Sequence, residues 1–174
     1  MSQHDPILII GGGGKTGGRV NSLLQAKGFA TRPVSRSTTP SFDWTRPEGW
    51  AAALDGVSAA YVTFQPDLAV DGATEAITEL SRLAREKGLK RVVLLSGRGE
   101  PGAQRAEAVL QSSGVEWTIV RASWFDQNFS EGYLIDGILA GEIALPAGPV
   151  PEPFIDIDDI ADVVTAALSE DGHA

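Results

Sequence analysis

The stretch Ile7-Leu8-Ile9-Ile10-Gly11-Gly12-Gly13-Gly14-Lys15-Thr16-Gly17 decides the fold. Four apolar residues in an unbroken run read as a strand covered on both faces. A glycine-rich turn follows, and Thr16 to Lys27 then reads as a helix that stops at Gly28, where a left-handed backbone is easy for glycine. Gly12, Gly14 and Gly17 spell GxGxxG, and Gly11, Gly14 and Gly17 spell GxxGxxG. Between a strand and a helix, either pattern lets the backbone approach a pyrophosphate with no Cβ in the way. The helix N-terminus then offers N–H groups and a partial positive charge to the anion. Gly11, Gly12, Gly14, Lys15, Thr16 and Gly17 are therefore candidate dinucleotide-binding residues. A Walker-A loop is excluded by register, because its first glycine would fall on Ile9. The competing reading is a glycine-rich turn that holds no ligand.

Short apolar runs alternate with longer amphipathic stretches along the rest of the chain. Strands are expected at Ala30–Ser35, Ala59–Phe64, Arg91–Ser96 and Glu116–Val120, with a further short one at Glu142–Leu145. Helices are expected over Pro47–Leu54, Gly72–Lys87, Ala103–Ser113 and Asp156–Ser169, and over part of Trp124–Ala140. Pro146–Pro153 reads as a turn-rich loop. Pro33 weakens the second strand, because proline donates nothing to a sheet ladder. This β-α-β-α order predicts an α/β fold: a doubly wound parallel sheet of Rossmann type, in one NAD(P)-binding domain over residues 1–174.

The chain has 174 residues, 43% of them hydrophobic and 21% charged, with no cysteine and a net charge of −9. Disulfide scaffolds, thiolate metal sites and a cysteine nucleophile are excluded. An acidic chain rarely supplies the basic face that nucleic acid requires. No apolar run approaches the ~20 residues that span a bilayer. A cytoplasmic protein with a small-molecule substrate is expected, with no nucleic-acid or membrane partner and no metal. Homodimer formation is left open.

The end of the second strand separates the two dinucleotides. An NAD site usually carries an acid about 20 residues beyond the glycines, for the ribose 2′-hydroxyl. Here Ser35-Arg36-Ser37 stands there. Arg36 can pair with a 2′-phosphate and the serines can donate to it. NADP(H) is thus expected over NAD(H), with Lys15 adding charge. The alternative is that Arg36 is a solvated residue at a strand end.

Several runs together resemble the NmrA-like branch of the atypical short-chain dehydrogenase/reductases, within the subgroup around festuclavine dehydrogenase of ergot alkaloid biosynthesis. They are Ile7–Gly17 with Arg19, Ser35–Ser37, Phe42-Asp43-Trp44, Ser113–Arg121, Trp124–Glu131 and Phe154–Ala161. The resemblance implies that Gly11, Gly14 and Gly17 hold the pyrophosphate and Arg36 the 2′-phosphate. It implies Asp43 and Trp44 beside the adenine, Phe64 and Gln65 flanking the nicotinamide ribose, and Ser96 beside the nicotinamide. Trp124, Phe125 and Asn128 would line the substrate side, although Trp124, Phe125 and Phe129 could equally be core anchors. Asp156, Asp158 and Asp159 read as a helix start rather than a metal site.

Two departures bear on chemistry. Short-chain dehydrogenases usually carry Tyr-x-x-x-Lys, in which the tyrosine donates a proton; neither Tyr61 nor Tyr133 has that lysine. Many NmrA-like relatives place a lysine four residues before a helical glutamate; here the glutamate is Glu107 and the lysine position is Ala103. The catalytic residues therefore stay unidentified. Arg105 is nearby but is a poor proton donor. The family also continues well past the position of Ala174, so the chain reads as a fragment or as a form without the substrate lid. A carbonyl reductase needs an acid to protonate the developing alkoxide. An iminium does not, so imine, iminium or quinone acceptors are expected. A non-catalytic NAD(P) redox sensor is the alternative, and a vestigial Rossmann domain the third reading.

Overall fold

The computed structural model describes residues 5–132, 134–145, 148–149 and 151–173. The central sheet is parallel, with strands β1 (Ile7–Ile10), β2 (Thr31–Val34), β3 (Ala59–Val62), β4 (Arg91–Gly97) and β5 (Glu116–Ala122) in spatial order β2-β1-β3-β4-β5. The doubly wound arrangement follows from alternation along buried strands. Ile7 and Ile9 of β1 face one layer with Tyr61 and Val93, and meet Val20, Leu24, Ile160 and Val164. Leu8 and Ile10 face the other with Ala60, Val62 and Leu94, and meet Trp50, Leu54, Ile77 and Leu110. The first layer holds α1 (Lys15–Ala26) and α6 (Ile157–Ser169); the second holds α2 (Trp50–Leu54), α3 (Ala73–Glu86) and α4 (Pro101–Gln111).

Pro33 is tolerated because β2 is the edge strand. Gly28 and Gly88 end α1 and α3 in left-handed conformations, as their positions after each helix suggest. The Trp124–Ala140 region is only partly helical. It holds the two-residue strand β6 (Trp124–Phe125), a 3-10 turn at Asp126–Asn128 and α5 (Ile135–Ala140).

One expected strand does not form. Residues Glu142–Leu145 carry no strand; Gly141, at φ +82°, turns the chain, and the Glu142 amide donates to the Gly137 carbonyl at 2.9 Å. The partner of β6 is instead β7 (Phe154–Ile155), whose pairing puts Trp124 opposite Phe154. The loop expected over residues 146–153 lies partly outside the described residues, as does Tyr133. Among the described residues no helix is long and apolar enough to cross a membrane.

Candidate functional site

The chain leaves β1 through Gly11 at φ +77°, where any side chain would be strained. A Cβ there would also collide with the Thr63 hydroxyl, which donates to the Ile10 carbonyl at 3.0 Å. At Gly12 a Cβ would stand 2.5 Å from Pro33 Cβ, and at Gly17 it would strike the Gly11 carbonyl, whose carbon is 2.8 Å away. The Gly11 and Gly12 amides both donate to the Val34 carbonyl, at 3.1 and 3.2 Å, and Gly14 donates to Gly11 at 2.8 Å. Packing thus requires glycine at 11, 12 and 17, a set that matches neither sequence pattern in full. Gly13 faces open space.

Gly14 is the N-cap of α1 and supplies no side-chain cap, and the first turn carries no acid. The contrast is α6, where Asp156 Oδ1 accepts from the Asp158 amide at 2.8 Å and closes the helix itself. Gly11, Gly14, Lys15 and Thr16 open onto a cleft of about 960 Å³. The α1 N-terminus therefore presents N–H donors to the cleft across a surface stripped of Cβ atoms. These residues fit a bound pyrophosphate.

The other walls of the cleft come from strand ends. Phe64 and Gln65 follow β3, Ser96 ends β4, and Trp124, Phe125 and Asn128 lie in and after β6. The strand order reverses between β1 and β3, so the cleft stands at the switch point where open α/β sheets take ligands. Lys15 joins the two sides: its Nζ donates to Asn128 Oδ1 at 3.2 Å and to the Gln127 carbonyl at 3.4 Å.

Ser35, Arg36 and Ser37 form the turn after β2, with the two serine hydroxyls 3.1 Å apart and Arg36 exposed. The Asp43 carboxylate accepts from the Thr45 amide at 2.9 Å and the Thr45 hydroxyl at 2.8 Å. These bonds, aided by the charges of Arg36 and Arg46, hold it below the usual carboxylate range. Trp44 sits behind the cleft wall. Its indole N–H donates to the Thr63 carbonyl at 3.1 Å, and its ring packs on Phe42, Trp50 and Phe64 with centroids 4.6–5.2 Å away.

Five ionisable groups of the cleft region escaped the sequence reading as site residues. Asp67, Arg98, Glu100 and Glu152 line the cleft. Their signal was position, since all but Glu152 lie in the segments between the carboxyl ends of β3 and β4 and the helices that follow. Beneath Ser96 lies the fifth: Glu107, 2% exposed, accepts from Ser96 Oγ at 2.6 Å and from Arg121 Nη2 at 2.7 Å. Burial pushes the Glu107 carboxyl up, but the hydrogen bonds from Arg121 and Ser96 outweigh it and leave it below the usual range. Ala103, the position where the resemblance leads one to expect a lysine, is fully buried. Tyr61 is fully buried as well, burial pushes its hydroxyl pKa up, and it does not line the cleft.

Residues 11–171 match a family described as NAD(P)H-binding. The uncharacterized oxidoreductase YesF of Bacillus subtilis is 32% identical over 184 residues, covering 98% of this chain and 63% of its own length. Festuclavine dehydrogenase of Aspergillus fumigatus is 30% identical over 187 residues, covering 94% of this chain and 63% of its own. The chain thus spans about 63% of the length of these curated relatives. Among solved structures, a Citrobacter sp. triphenylmethane reductase complexed with NADP(H) superposes with a TM-score of 0.74 at 18% identity, covering 97% of this chain and 67% of that one. That likeness concerns the fold.

Proposed function

This chain belongs to the NAD(P)H-binding family, and from that premise we propose that it is an NADP(H)-dependent oxidoreductase that passes hydride to a small organic acceptor of the imine, iminium or quinone type. The observation that carries the reading is the uncapped α1 N-terminus under the Gly11, Gly12 and Gly17 cradle, open to a cleft large enough for a nicotinamide and an acceptor. The bound dinucleotide supplies hydride chemistry; the protein binds and orients it. Gly11–Gly17 take the pyrophosphate, and Ser35, Arg36 and Ser37 take the 2′-phosphate. Phe64, Gln65 and Ser96 stand at the nicotinamide end, and Trp124, Phe125 and Asn128 face the acceptor. Asp43 and Trp44 belong to the adenine side, Trp44 acting through the backbone of Thr63 and the ring of Phe64 that it supports. NADP(H) is favoured because the turn after β2 carries an exposed guanidinium and two hydroxyls in place of an acid, and the Asp43 carboxylate, which feels the charge of Arg36, is already engaged by Thr45.

Calorimetric titration with NADPH and NADH tests the cofactor. Arg36→Ala is expected to weaken NADPH binding about 10- to 100-fold, the worth of a charge-assisted hydrogen bond to phosphate, and to leave NADH unchanged. Equal losses for both would remove Arg36 from the 2′-phosphate. Loss of NADPH absorbance across an imine and quinone panel tests the reaction. A non-catalytic redox sensor is the second reading. It is favoured by the buried Ala103 and Tyr61, which leave no tyrosine–lysine pair among the described residues. A sensor would bind one redox form much more tightly and turn over nothing.

A further inference from the structure

The cleft holds an acid, Glu100, away from the positions of a tyrosine–lysine pair. Glu100 occupies the N-cap position of α4, yet its side chain makes no cap hydrogen bond. The carboxyl folds back over Gly97 at the end of β4; a Cβ on residue 97 would clash with it, standing 2.5 Å from Glu100 Cδ. Glycine at 97 is what lets the carboxyl lie there, one residue from Ser96 on the cleft wall. The facing loop closes on it because Gly102 also lacks a side chain. A Cβ there would stand 2.7 Å from Ala69 Cα. This close approach places Asp67 on the facing wall of the cleft, near enough for its charge to act on Glu100.

The other ionisable groups of the cleft are engaged. Lys15 holds Asn128, Arg98 pairs with Glu152 at 2.9 Å, and Asp67 accepts from the Ala69 amide at 2.7 Å. The Glu100 carboxyl has no hydrogen-bond partner among the described residues. Burial, and then the negative charge of Asp67, push it above the usual carboxylate range. A carboxyl so placed retains its proton to higher pH than an exposed one, as a general acid requires.

We propose that Glu100 is the proton donor of the reaction, serving neutral acceptors such as quinones. This rests on the reductase reading above. The quinone takes up hydride with its electron pair from the reduced dinucleotide, which is thereby oxidised. The Glu100 O–H bond breaks, and its proton forms the new O–H bond on the quinone oxygen where negative charge develops. The product is the hydroquinone. Glu100 remains as a carboxylate and regains a proton from water. An iminium acceptor, already cationic, needs no proton and bypasses Glu100.

The test compares wild type and Glu100→Gln on a neutral benzoquinone and on an N-methyl iminium salt, with NADPH affinity measured in parallel. For the quinone, kcat/KM of Glu100→Gln at pH 6 is expected to fall about 100-fold. The iminium rate and the NADPH affinity stay within twofold. The quinone rate of the wild type falls as pH rises through the Glu100 pKa, and that limb is absent in Glu100→Gln. Asp67→Asn removes the facing negative charge and moves the limb to lower pH; Arg98, Glu152 and Lys15, which share the cleft, are unchanged in it. Independently of turnover, carboxyl-labelled NMR of the NADPH-bound protein is expected to show Glu100 titrating above the ordinary range. Equal quinone rates in wild type and Glu100→Gln, an ordinary Glu100 titration, or a loss confined to the iminium would each overturn the donor role while leaving the reductase reading intact. Failure of the wild type to reduce either acceptor would refute the reductase reading and the donor role with it.

Discussion

Replacing Gly17 by alanine is expected to destabilise the protein, whereas the same change at Gly18 stabilises it. Both residues lie in the first turn or so of α1, and in both cases alanine favours the helix by about 1 kcal/mol through reduced chain entropy and better propensity. The surroundings separate them. At Gly18 the new Cβ meets only the Gly12 carbonyl oxygen, at 3.6 Å, an ordinary contact. At Gly17 it strikes the Gly11 carbonyl, has the Gly11 carbon at 2.8 Å, and meets Gly12 Cα at 3.2 Å. These are backbone atoms of the tight turn and cannot rotate away. Overpacking of this kind costs about 2–3 kcal/mol, which outweighs the propensity gain and leaves a net loss of about 1–2 kcal/mol. The two variants then differ by about 2–3 kcal/mol, or roughly 4–12 °C in Tm for a chain of this size. Thermal unfolding followed by circular dichroism measures the difference. Because the displaced atoms form the proposed pyrophosphate cradle, NADPH affinity of Gly17→Ala is expected to fall at least about tenfold, and that of Gly18→Ala to hold. A Tm for Gly17→Ala equal to or above that of Gly18→Ala would refute the packing argument.

Arg121→Met strands the Glu107 carboxylate in a buried position. The expected cost is about 2–3 kcal/mol at neutral pH, less than for a fully buried pair because Arg121 is half exposed. The folded Glu107 pKa is depressed, so the stability it contributes in the wild type is present above the unfolded carboxyl pKa of about 4.3 and is lost as pH falls through the lower folded value. The gap between wild type and Arg121→Met in urea unfolding therefore narrows below about pH 4; a constant gap at all pH values would show that packing, not charge, holds the site. Arg19 pairs with Glu131 at 2.7 Å and Asp158 at 2.5 Å in an exposed network. Arg19→Ala is expected to cost under about 1 kcal/mol, and less still in high salt; a larger, salt-independent loss in the same unfolding assay would contradict that.

Much of the architecture is legible in local chemistry. The run Ile7–Ile10 is apolar at every position because β1 is covered on both faces, and Gly28 and Gly88 stop their helices where the backbone must turn left-handed. Periodicity carries such information because side-chain direction is set by the element itself. The same logic misplaced a strand at Glu142–Leu145. A short apolar run forms a strand only where an edge is available to pair with it, and β6 pairs with Phe154–Ile155. Trp44 shows the matching limit for the site. Its place in the motif was readable, whereas the bond from its indole to the Thr63 carbonyl joins residues nineteen apart in the chain.

By itself the sequence determined the order of the five central strands and the helices between them, the sharp glycine turn and the absence of an acid after β2, because each depends on sterics or charge within a few neighbouring residues. Only the tertiary structure decided that glycine is required at 11, 12 and 17 rather than at either motif's full set. The atoms that forbid a Cβ at 11 and 12 belong to Thr63, just past β3, and Pro33 on β2, and the one that forbids it at 17 is the Gly11 carbonyl once the turn has folded back on the helix. It likewise decided that Glu100 faces Asp67 across a cleft. That meeting depends on the Ala69 loop packing against Gly102, and no local pattern in the chain encodes a contact between two surfaces that fold separately and close on one another.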